Sequence, residues 1–159
     1  MRCIKKCGES IKTTNAKGRS YFEVEGVGDV FAAGLMLRNG SKYLVQCHDD
    51  QAYRYSDFGG KTEPFDKNIY DTVMREVCEE SNGYLNVTEK ELMAAEKYYS
   101  KSSKYLLFII DTVKDYCEVI KLMGNCEDFD DKPRTTGWFS PESCSCHPRV
   151  RGYFVLRMI

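Results

Sequence analysis

A glycine pair followed by a helix with two chemically distinct faces, in residues 58–85 (FGGKTEPFDKNIYDTVMREVCEESNGYL), constrains this chain more than any other stretch. At about 100° per residue, Ile69, Tyr70, Val73, Met74, Val77 and Cys78 share an apolar arc, while Glu76, Glu79 and Glu80 occupy a separate arc roughly 100° wide. An apolar stripe of this kind packs on a sheet, so the carboxylates are expected to face outward. Like charges three and four residues apart cost a helix a few tenths of a kcal/mol per pair. A hard cation reverses that sign: Mg²⁺ takes carboxylate oxygens, keeps several waters and shares substrate phosphates. A solvated charged face is the plain alternative for such a hexapeptide. Gly59 and Gly60 at its head, and Glu63 and Asp66 in the intervening turn, favour the metal-binding reading.

These residues resemble the signature of the Nudix hydrolases, G-x5-E-x7-R-E-U-x-E-E-x-G-U with U aliphatic. Gly60, Arg75, Glu76, Val77, Glu79 and Glu80 match it in order, and GGKTEP is a common opening. Asp66 stands where Glu is usual, eight residues rather than seven separate it from Arg75, and Asn82 precedes Gly83 where the glycine is expected. Lys67 holds the strict-register position of the family's Arg-bracing Glu. A brace for Arg75 therefore has to come from Asp66 or Glu63.

With 159 residues, the chain is the size of one domain and long enough to bury a core. A formal net charge of −1 provides no global basic field for nucleic acid or membrane, so an anion has to be captured locally. No apolar run approaches the roughly 20 residues of a membrane helix, and MRCIKKCGES lacks a signal-peptide core. A cytoplasmic location without a membrane partner is the expectation, and the eight cysteines then read as reduced thiols. Cys3 and Cys7 with Cys144, Cys146 and His147 are a conceivable zinc-ligand set, but their spacings are not those of standard ligand pairs.

Residues 1–28 read as a weakly patterned, mobile N-terminal segment with an edge strand near Tyr21–Val24, and residues 29–159 as one domain. Val30–Leu37 and Lys42–Gln46 flank Asn39-Gly40, a strong hairpin signal. AYRYSDF alternates as a strand that carries Tyr55 as a candidate substrate contact, with a packed aromatic as the alternative. Met93–Ser100 and Tyr105–Asp111 read as a strand pair, and YLLFIID as a buried central strand. Lys101 and Lys104, with Lys97, are candidates for meeting phosphates, solvated turn lysines being the alternative. Pattern does not separate helix from strand over Val113–Met123. Thr136–Phe139 reads as a strand, with a helix starting at Ser140-Pro141. The C-terminal stretch has helical spacing, and its Arg149 and Arg151 are candidates for facing an anion.

The resemblance implies an α/β fold, a Nudix-like α/β/α sandwich around a mixed β-sheet, and hydrolysis of a diphosphate linkage. It implies Mg²⁺ or Mn²⁺ held by Glu76, Glu79 and Glu80 with the Gly60 backbone, Arg75 as their brace, and Glu127 as a further carboxylate from a later loop. Gly59, Gly60, Lys61, Tyr55, Lys101 and Lys104 are the candidate substrate contacts. A small phosphoanhydride in which a nucleoside diphosphate is linked to another moiety is the expected substrate. Diphosphoinositol polyphosphate, an mRNA cap, and a catalytically silent binding module are the alternatives.

Overall fold

A computed structural model describes residues 1–48, 52–125 and 133–157. Its centre is β5 (Ala32–Asn39), where the apolar run of the sequence is buried on both sides. β10 (Tyr105–Asp111) lies parallel to it, from Ala32 opposite Tyr105 to Arg38 opposite Asp111. The other edge of β5 is shared between two partners. Its second half pairs with β6 (Lys42–Cys47) through the Asn39-Gly40 hairpin, and its first half pairs with β8 (Phe58–Lys61). The sheet therefore splits between β6 and β8.

The remaining strands are β1 (Arg2–Ile4), β2 (Ser10–Thr14), β3 (Ser20–Val24), β4 (Gly28–Val30), β7 (Tyr55–Ser56), β9 (Glu96–Ser100) and β11 (Thr135–Phe139). The main sheet runs β1-β9-β10-β5-β6-β11, with β7 on β6, and β2-β3-β4 form a small sheet. The helices are α1 (Ile69–Glu80), α2 (Glu89–Ala94), α3 (Cys117–Met123) and α4 (Pro148–Arg157). Successive side chains of a strand point to opposite faces. Leu35, Leu37, Leu106 and Phe108 meet Ile69, Val73 and Val77 of α1, whereas Met36, Leu107 and Ile109 meet Val150, Tyr153 and Phe154 of α4. The result is a mixed sheet with helices on both faces, the expected α/β layering. Among the described residues no helix is long and apolar enough to cross a membrane.

Several local expectations are corrected. The N-terminal segment is strand-forming from residue 2, and β1 pairs with the edge of β9. Its strands carry at most two buried apolar residues each, among them Ile4, Phe22 and Val24, and β2 carries none, too few to show as alternation. Residues 89–94 are helical because Thr88 and Glu91 form a reciprocal capping box, so β9 begins at Glu96 instead of Met93. The last helix starts at Pro148, after a single 3-10 turn at Ser143–Ser145, and not at Ser140-Pro141. Cys78, expected on the apolar arc, is exposed because it projects at that arc's edge.

Candidate functional site

The site forms where α1 crosses the split in the sheet. Asn68 caps α1 by accepting the Asp71 amide at 3.0 Å, which sets the helix register from Ile69 onward. That register places Glu76 over β8. A Cβ built on Gly60 would lie 2.5 Å from the Glu76 carboxyl, so glycine here lets that carboxyl lie directly against the strand, where a side chain would displace it. Gly59 faces the other way, where an added Cβ would lie 2.0 Å from the Tyr105 hydroxyl. The glycine pair thus lies inside β8, where it makes room for a side chain on each face.

Arg75 is the hub of the outer part. Its Nε and Nη2 donate to Asp66 Oδ1 and Oδ2, each at 3.0 Å, a bidentate pair with a carboxylate that is almost fully buried. Nη1 donates to Glu76 Oε1 at 2.9 Å and approaches Glu79 Oε2 at 3.5 Å, while Nη2 also reaches the Lys61 carbonyl at 2.9 Å. The brace that the sequence left open between Asp66 and Glu63 is Asp66. Burial pushes the Asp66 carboxyl up, but Arg75, the Glu63 amide and the Thr72 hydroxyl outweigh it and hold it below its usual range. Burial also pushes Glu76 up, against the pull of Arg75.

The three carboxylates do not all face outward. Glu79 does, with half of its side chain exposed. Glu80 instead turns into the split, its Oε1 accepting the Gly59 amide at 2.5 Å and its Oε2 accepting Gln46 Nε2 at 3.1 Å. On the helical projection Glu80 falls between Ile69 and Val73, inside the apolar arc, so the acidic face of α1 consists of Glu76 and Glu79 and does not include Glu80. Burial pushes its carboxyl up to about 8, opposed by Arg149 and Gln46.

Below Glu80 lies a group of residues that the sequence reading did not bring together. Asp57 is fully buried and accepts hydrogen bonds from the Tyr105 hydroxyl and from Arg149 Nε, the latter at 2.7 Å. Arg149, expected to face an anion, is turned inward to this partner. Arg151 donates to the Cys146 carbonyl at 3.0 Å and lies over the Tyr53 ring. The one available signal was Asp57 itself, an acid set between Ser56 and Phe58 at the entry to a glycine-bearing strand.

Lys61 ends β8, and Lys101 and Lys104 lie in the β9–β10 turn at the same end of the sheet, since the Phe31 amide bonds to the Lys104 carbonyl and the Thr62 amide to the Phe31 carbonyl. Lys104 Nζ sits 5.3 Å from the centre of the Phe31 ring. Tyr55 is packed on Phe139, on the α4 side of the sheet. Glu127 lies outside the described residues. Among the described residues no three His, Cys, Asp or Glu side chains already converge as a metal cage. Arg75 occupies Glu76, and Glu80 is turned into the split. The donors nonetheless suit a hard cation: the exposed Glu79, the largely buried Glu76 about one turn away, and a third carboxylate that is poorly hydrated and carries negative charge only against a desolvation cost.

Compared by sequence, the chain matches no family profile and no curated protein. Compared by structure, it is similar to a NUDIX hydrolase from Nitrosomonas europaea, at 17% identity over 80% of this chain and 86% of that one, with a TM-score of 0.44. It is also similar to a mutant of the Bacillus subtilis pyrophosphohydrolase BsRppH, at 18% identity over 93% and 92% of the two chains, TM-score 0.47. A C. elegans Ap4A hydrolase, solved as a binary complex, shares 18% identity over 69% of this chain and 78% of its own, TM-score 0.36.

Proposed function

We propose that this protein is a divalent-metal-dependent hydrolase of phosphoanhydride bonds, with Glu76, Glu79 and Glu80 as the metal-holding carboxylates. The observation that carries the reading is the joint placement of Gly60, Asp66, Arg75 and Glu76: the motif residues, scattered over 17 positions from Gly60 to Glu76, meet in one contact network. A solvated face does not require a buried bidentate brace.

Mg²⁺ or Mn²⁺ held there would neutralise phosphate oxygens and lower the pKa of a bound water. The chain's own residues do the positioning. Asp66 locks Arg75, Arg75 orients Glu76, and the absence of a side chain at Gly60 leaves the β8 backbone open beside the carboxylates. Lys61, Lys101 and Lys104 supply positive charge at that end of the sheet for the non-bridging oxygens. Water oxygen bonds to one phosphorus, the bridging P–O bond breaks, and both fragments leave with phosphate ends. The favoured substrate is a nucleoside diphosphate linked to another moiety. Inositol pyrophosphate and an mRNA cap are the runners-up. The Asp66 brace weakens the silent-module reading, because the displaced acid still makes the expected contact.

The experiment is product release from ADP-ribose, dinucleoside polyphosphates, nucleoside triphosphates, capped RNA and inositol pyrophosphate, with Mg²⁺ or Mn²⁺ and with chelator. Release that requires metal and ranks one compound above the rest is the expected result. Folded protein that binds metal and turns over none of them would favour the binding module.

A further inference from the structure

We propose that Arg149, which approaches from the α4 side of the sheet, is a positioning residue for the Glu80 carboxylate on the α1 side; this rests on the reading of Glu80 as part of the hydrolytic site. Glu80 is held by two donors, the Gly59 amide and the Gln46 side-chain amide. Both are tied to backbone that Arg149 grips. Arg149 Nη2 reaches the Gly59 carbonyl at 3.3 Å, so the residue that donates to Glu80 on one side is held by its carbonyl on the other. Gln46 Nε2 reaches the Asp57 carbonyl at 3.2 Å, and Arg149 Nη2 approaches that same oxygen at 3.4 Å.

The remaining bonds of Arg149 fix the guanidinium itself. Nε donates to Asp57 Oδ1 at 2.7 Å and Nη2 to Ser56 Oγ at 3.0 Å, and its Cζ lies 5.0 Å from the centre of the Tyr105 ring. One planar group thus clamps residues 56, 57 and 59, the run of chain that fills the split under Glu80. Lysine could supply the charge but not this fork of contacts. Glycine is required at 34 and 59 for the same reason. A Cβ on Gly34 would lie 2.2 Å from Asp57 Oδ2, and one on either glycine would strike the Tyr105 hydroxyl. The arrangement is a relay of position through the sheet, and Arg149 itself touches no substrate.

Arg149→Met alone leaves the Asp57 charge buried without its cation, and such a loss can unfold a protein. The decisive variant is therefore the double Arg149→Met/Asp57→Asn, which removes both charges and keeps an acceptor for Tyr105. Three readouts are taken on protein shown to be folded by circular dichroism: the Gly59 amide proton shift, Mn²⁺ affinity by electron paramagnetic resonance, and kcat and KM on the best substrate of the wild type. The expected result is an upfield move of the Gly59 amide, Mn²⁺ affinity and kcat each lowered about tenfold or more, and KM unchanged. Arg149→Lys is expected to recover part of the loss. A folded double variant with the wild-type Gly59 shift, Mn²⁺ affinity and kcat would overturn the proposal and leave the pair a packing element. If the wild type itself shows no turnover, the hydrolase reading fails, while the amide shift and Mn²⁺ affinity still decide whether Arg149 positions Glu80.

Discussion

Glu79 and Glu80 are neighbours in the chain and on the same helix, yet they live in different media. Glu79 is half exposed, with Arg75 at 3.5 Å as its partner. Glu80 lies in the split between β6 and β8, where an amide, a glutamine and the nearby charge of Arg149 replace water. The two differ by about 100° of helical rotation, and that rotation separates a solvated carboxyl group from a dehydrated one. A carboxylate in water adds a modest, screened contribution to cation binding, whereas one stripped of water binds a cation far more strongly, because the competing solvation is already lost.

The sharpest break of this comparison is Glu80→Gln against Glu79→Gln. Turnover is expected to fall about 10²–10³-fold for Glu80→Gln, the range seen when one preorganised electrostatic contact is removed, with the fold retained. Equal losses from the two variants would show that depth does not matter. Next in size is Asp66→Asn, which frees Arg75 from its bidentate partner. A loss of about 10–100-fold in kcat is expected, with a smaller change in KM. A wild-type kcat would mean that the brace is decorative.

Stability against pH reports on Glu80 without any substrate. The folded pKa of Glu80, about 8, lies above its unfolded value, so the folded state favours the neutral acid. Its contribution is fully present below about pH 4.3 and is lost as pH rises through 8. In chelator, denaturant unfolding should therefore show stability falling between those limits, by an amount on the order of a few kcal/mol, and Glu80→Gln should flatten the slope. The smallest effect is expected for Lys101→Gln and Lys104→Gln, each raising KM about two- to fivefold through a screened, exposed charge, more at low salt than at high.

Much of this was legible in the sequence where local pattern carries the information. The hairpin at Asn39-Gly40, the buried strand Tyr105–Asp111 and helix α1 follow from short-range signals. Thr88 and Glu91 announced α2 by their capping-box spacing, although the charged stretch around them concealed it. The inward turn of Glu80 was also present, since it projects between Ile69 and Val73. What sequence pattern does not contain is the split. It exists because β8 pairs with one half of β5 while β6 pairs with the other, a division of one strand edge between segments that are far apart in the chain. Asp57 and Arg149 are 92 residues apart, and neither periodicity nor charge marks them as partners. Asp66 was one of two candidates for the Arg75 brace because it lies in a loop, where helical spacing has no authority.

The most direct test of the account is a Mn²⁺ binding isotherm for the wild type and for Glu80→Gln, measured at pH 7 with proton release followed in parallel. The account predicts saturable binding by the wild type, release of a proton as the buried carboxyl ionises, and an affinity at least tenfold weaker, with no such proton, in the variant. Equal affinities and equal proton release would place the cation elsewhere and contradict a metal site built on Glu80.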